Sequence, residues 1–259
     1  MNLSDAIRAF EILLGLSLFL QTLEQWRVHA IDRVSDWAVQ RTELPESPRW
    51  LRPLLDHLLQ PAPARALLAL RGLLAVTLMA GHLPLAGALG LMLIALVLLF
   101  RWRGAFNGGS DFMTLVGLTG LLIAHIVGNL TDPEQGWRAG LWYVALQSIT
   151  SYFVSGWVKL LRPEWRDGSA LPFFLDSGVY GPIKADSAYR RPRVAQACAW
   201  AFTVFEGCAP LVLLDARLAA AFCAVAALFH FLVFWFFGLN RFFWAWLATY
   251  PAILWAASA

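Results

Sequence analysis

Apolar runs, each about the length of a membrane crossing, alternate with shorter polar segments along most of the chain. A hydrocarbon core about 30 Å thick takes roughly 20 apolar residues in helical form. Only helices and closed barrels satisfy the backbone there. The runs predict eight helices, at about 6–23, 66–82, 84–100, 112–128, 139–161, 194–214, 218–238 and 242–257. The first follows MNLSD and ends in QTLEQW, which lacks the basic start and small-residue cleavage site of a signal peptide, so it reads as a retained helix. Residues 24–65 form the longest polar stretch, with Pro45, Pro48, Pro53, Pro61 and Pro63. Within it, Trp50 to Leu59 is amphipathic and suits the membrane interface. A second polar segment, 162–193, holds another amphipathic piece around Leu171 to Leu175. Pro163 closes the run before it, because the residue ahead of a proline is pushed out of the α region. The expected fold is all-α: a polytopic helical membrane bundle of about eight transmembrane helices plus short amphipathic interfacial helices, as one domain over residues 1–259.

Composition sharpens this picture. The 259 residues are 59% hydrophobic and 14% charged, against about 45–50% and about 25% in soluble domains. That excludes a water-soluble globule of this size, a disordered chain and a collagen-like repeat. The net charge of +3 comes from residues placed in the connections. The segments after the first, third, fifth and seventh runs hold fifteen Lys and Arg, and the opposite side holds three: Arg8, Arg138 and Arg217. Positive residues stay cytoplasmic, so both termini of a multi-pass protein of the cell or inner membrane are expected outside. This accounts for the basic excess with the lipid bilayer as partner and without nucleic acid. Cys198, Cys208 and Cys223 form no CxxC pair, and the five histidines show no HExxH spacing. No metal site is expected.

Charged side chains inside hydrocarbon are costly, which makes each a candidate for function. Glu206 lies near the middle of the sixth run and His230 at a similar depth in the seventh. An imidazole donating to the carboxylate would satisfy both, either as a structural hydrogen bond or as a proton-handling, ligand-orienting pair. In the fifth run Ser148, Tyr152, Ser155 and Lys159 recur at spacings of four, three and four, which places them on one helical face. Gly156 beside them permits close approach of a neighbouring helix or a flat ligand. Lys159 is the one lysine in any apolar run. Burial disfavours its charged form, which suits a base; its nearness to Arg162 equally suits a snorkelling lysine. Upright helices would set it roughly 15 Å from Glu206 in depth. Phe106 to Asp111 (FNGGSD) is a turn in which Asp111 is placed to cap the next helix. The backbone around Asn107 could also cradle an anion or carbonyl oxygen.

The stretch TSYFVSGWVKLLRPEWRDGSAL, with Tyr152, Gly156, Lys159 and Leu160 at its core and Trp165 and Gly168 behind, resembles the HTTM (horizontally transferred transmembrane) family. This family includes the membrane domain of vitamin K-dependent γ-glutamyl carboxylase. The turn at Phe106 to Asp111, Glu206 and His230 are similar to other polar points of that family. The resemblance implies a carboxylase-like or quinol-linked membrane enzyme, of lyase or oxidoreductase class. Lys159 would be its base, with Glu206 and His230 as catalytic partners. A quinone or reduced vitamin K-like lipid would be the cofactor, held near Ser148, Tyr152, Ser155, Gly156, Asn107 and Asp111. A lipophilic small molecule and a peptide or protein substrate are the implied partners. Two other classes stay open: a non-catalytic membrane partner for maturation or export of a peptide or protein, and a small-molecule or proton transporter working through Glu206 and His230.

Overall fold

Proline or aspartate marks where several of the helices begin. The computed structural model describes residues 1–31, 49–101 and 109–259, and every regular element among them is helical. In chain order these are α1 (Leu3–Ile31), α2 (Arg52–Leu58), α3 (Pro61–Met79), α4 (Leu85–Arg101), α5 (Ser110–Leu130), α6 (Pro133–Leu161), α7 (Pro163–Asp167) and α8 (Ala170–Asp176). After them come α9 (Pro192–Gly207), α10 (Ala216–Phe237), α11 (Asn240–Leu247) and α12 (Tyr250–Ala256). Four of the described helices are long and apolar enough to cross a membrane: residues Leu3–Val28 of α1, and all of α3, α5 and α10. The chain is a membrane protein built of helices.

Several boundaries depart from the expected ones for stated reasons. α3 starts at Pro61, five residues early, because a proline at the first helical position loses only an N–H that has no intrahelical partner anyway. α6 starts at Pro133, six residues ahead of the expected 139, where the Asp132 carboxylate accepts from the Gln135 amide at 2.9 Å. The run expected at 194–214 is α9 followed by a short 3₁₀ helix, Ala209–Leu214. Pro210 cannot donate to the Glu206 carbonyl as an α-helix requires. The run at 242–257 divides likewise into α11 and α12 ahead of Pro251. Asp111 is not the cap of α5: Gly109 occupies that position, and Asp111 falls in the first turn, where a negative charge suits the helix dipole. Asn107 lies outside the described residues.

The chain forms two compact units, Met1–Ala6 with Leu141–Ala259, and Ile7–Gly140. In the second, α3, α4 and α5 pack against one another in sequence. The amphipathic α2 buries Leu55, and Leu59 beyond it, against Leu51, Val97 and Phe100. In the first unit, α9 and α10 carry the packing, joined by α7, α8, α11 and α12. Its centre is aromatic: Tyr152 lies edge-on to Phe222 at 5.1 Å between ring centres and tilted to Trp246 at 4.5 Å.

Candidate functional site

Helical spacing turns the Ser148, Tyr152, Ser155, Lys159 face of α6 inward. Ser148 and Tyr152 are buried, whereas Val154, Trp157 and Val158 are exposed. The members of this face then take different partners. Ser148 turns its hydroxyl back onto the Val144 carbonyl at 2.7 Å, and joins no site. Tyr152 meets His230: its hydroxyl oxygen lies 2.6 Å from Nε2 and 3.2 Å from the Tyr250 hydroxyl. The His230 ring stacks on Trp246 at 4.8 Å with an interplanar angle of 18°.

Lys159 and Ser155 meet Glu206. The Lys159 ammonium donates to the Glu206 carboxylate and to the Ser155 hydroxyl at 2.7 Å. Its Nζ also lies 5.1 Å from the centre of the Trp165 ring, within cation–π range. The pair is buried, with 14% of the lysine side chain and 4% of the glutamate side chain exposed. Glu206 and His230, expected to pair, therefore each have a separate partner. The roughly 15 Å depth offset between Lys159 and Glu206 also falls away.

The reason is helix register. A Cβ on Gly156 would collide with the backbone of Gly207, so α6 and the end of α9 touch main chain to main chain there. Gly168, held at φ +87°, lies against the backbone of Gln196, a left-handed conformation that a side chain would strain. The side chains of Gln196 and Trp200 both donate to the Arg166 carbonyl, at 3.0 and 3.1 Å. The first two turns of α9 thus run alongside α7 and α8, beyond the end of α6. Lys159 faces the last turn of α9, which is where Glu206 sits.

Lys159 forms the polar end of a cleft of about 380 Å³, a volume that suits a small ligand. Trp165, Phe174, Phe202, Phe229 and Phe236 are among its walls, with leucines and valine between them; Cys198 and Tyr189 also touch it. Among the described residues Lys159 is the one formally charged side chain in the lining. The 176–190 loop, whose Tyr189 touches the cleft, is tied by Arg190, which grips Asp176 through two bonds of 3.0 and 2.7 Å and donates to the Ile183 carbonyl at 2.9 Å. The Ser169 amide, 2.8 Å from Asp167, holds that exposed carboxyl below the usual carboxylate range.

The other unit holds a buried cation on α3. Arg71, 2% exposed, donates to the side-chain oxygens of Gln25 and Gln21, each at 2.8 Å. The Gln21 amide in turn donates to Ser17 at 3.1 Å and to Thr114 at 3.0 Å. Two glutamines four apart in an apolar run were the available signal. Among the described residues no group of acidic, histidine and cysteine side chains is arranged to hold a metal ion. Comparison with family models, curated proteins and solved structures gives no match to this chain.

Proposed function

We propose that this protein is an HTTM-type membrane enzyme that binds a lipophilic, hydroxyl-bearing substrate of quinol-like kind in the α6–α9–α10 cleft and removes its proton through Lys159. One observation carries the reading: an apolar, aromatic-lined cleft ends at a single side-chain amine, itself gripped by a buried carboxylate. The residues suit such a ligand, with flat aromatic walls for a ring, aliphatic ones for a tail and one polar end. A quinol seated there would supply an ionisable hydroxyl and a pair of electrons. The chain's own part is proton handling. As the Lys159 ammonium passes one proton to the Glu206 carboxylate, its amine takes the hydroxyl proton of the substrate. The substrate oxyanion is left beside the ammonium, and Ser155 keeps the amine aimed. Arrangement across about eight spans with both termini outside belongs to the same proposal, supported by the fifteen-to-three division of basic residues.

The test is to solubilise the full chain gently, extract its lipophilic compounds and identify them by mass spectrometry, with Lys159→Ala alongside. A quinone- or quinol-like compound bound by the native chain and depleted in the variant is expected. Phospholipid alone in both preparations overturns the proposal.

A further inference from the structure

The charge state of the cleft has a consequence for which amphiphiles it admits. An isolated buried lysine at the end of an apolar cleft would recruit anions, and fatty carboxylates fit that description in shape and charge. Here the ammonium is already matched. Glu206 contacts it directly, its own side chain only 4% exposed, and among the described residues no other side chain lining the cleft carries a formal charge. Whether the shared proton sits on nitrogen or on oxygen, the pair sums to zero.

We infer that Glu206 acts as a charge filter, so that the cleft selects uncharged amphiphiles with a hydroxyl or carbonyl head and turns away anionic ones. This rests on the proposed cleft and deepens it by naming the class of head group. A hydroxyl or carbonyl meets the Lys159 amine, and the Glu206 carboxylate behind that amine leaves the filled cleft neutral. A carboxylate must shed its water and then sit beside a pair with no spare positive charge, leaving an uncompensated anion in low dielectric. Deprotonation within the cleft obeys the same rule. The proton taken from a bound hydroxyl stays on the Lys159–Glu206 pair, so the total charge does not change.

The experiment places the full chain in nanodiscs of zwitterionic lipid and adds brominated dodecanol or brominated dodecanoate at equal mole fraction in the membrane. The pH is held above the carboxylate range. Quenching of Trp165, which lines the cleft beside Lys159, reports occupancy, and Trp165→Phe assigns the signal. The native chain is expected to prefer the alcohol by about tenfold or more. Glu206→Gln frees the lysine charge and reverses the preference, while Glu206→Asp keeps it. Equal affinity for the two probes, or a native preference for dodecanoate, overturns the inference and leaves the cleft as a ligand site. An unreversed preference in folded Glu206→Gln also overturns it. Should Glu206→Gln not fold, the native preference decides alone. If neither probe quenches Trp165 in the native chain, the cleft is no ligand site, and both readings fall.

Discussion

Removing Lys159 alone should cost far more than removing Lys159 and Glu206 together. In Lys159→Met the Glu206 carboxylate keeps a site in which 4% of its side chain is exposed and loses the cation that satisfied it. Breaking a buried pair from one side costs about 3–5 kcal/mol. In Glu206→Leu the stranded lysine is better off. Its side chain is 14% exposed, it retains Ser155 at 2.7 Å, and its stem can swing toward the nearby helix end. About 1–3 kcal/mol is expected there. The double variant replaces both charges with apolar side chains of similar size and should lie within about 1 kcal/mol of the native chain. The single losses would then exceed the double loss by about 3 kcal/mol or more, a strong coupling for two residues on different helices. Reversible unfolding in mixed micelles, titrated with dodecyl sulfate and followed by tryptophan fluorescence, measures all four proteins. Additive losses would refute the reasoning, as would a Lys159→Met loss no larger than that of the exposed control Val158→Ala.

Other consequences can be checked with the same preparations. Gly156→Val drives a side chain into the Gly207 backbone; the overpacking should cost about 1–3 kcal/mol and part Lys159 from Glu206, read as lower stability with no further loss on adding Glu206→Leu. Tyr152→Phe leaves His230 Nε2 and the Tyr250 hydroxyl without the phenol that lies 2.6 and 3.2 Å away; a loss of about 1–3 kcal/mol in the same titration is expected. Arg190→Ala removes an ion pair whose members are 33% and 34% exposed, so overall stability should fall by no more than about 1 kcal/mol. Hydrogen exchange at the Ile183 amide, which the Asp176 carboxylate accepts at 3.1 Å, should nonetheless speed up.

Apolar runs made the all-α class and the membrane-crossing helices legible in kind, and the four, three, four spacing placed Ser148, Tyr152, Ser155 and Lys159 on one face of α6. Lys159, Glu206 and His230 stood out because ionisable groups are rare in apolar runs. Their pairing was not legible. Depth was reckoned from the nearest basic connection on each helix, which assumes that α6 and α9 end at one level. The packing of α7 and α8 along the start of α9, fixed at Gly168 and Arg166, brings the last turn of α9 to Lys159 instead, and nothing local to Glu206 encodes the shift. The helix break after Glu206 was readable from Pro210, though the apolar run continuing to Leu214 masked it. The cleft was hidden for another reason: its walls come from positions spread between Lys159 and Leu239, most of them ordinary apolar residues of their own segments.

Ionisation of a bound naphthol probe tests the central claim most directly, since naphthol and naphtholate differ in absorption. With the full chain in nanodiscs buffered below the free probe's titration range, the native protein should produce the naphtholate band in proportion to bound probe, and Lys159→Gln should bind the probe in its neutral form. An equal naphtholate band in both proteins, or a bound probe that stays neutral in the native chain, would contradict the account.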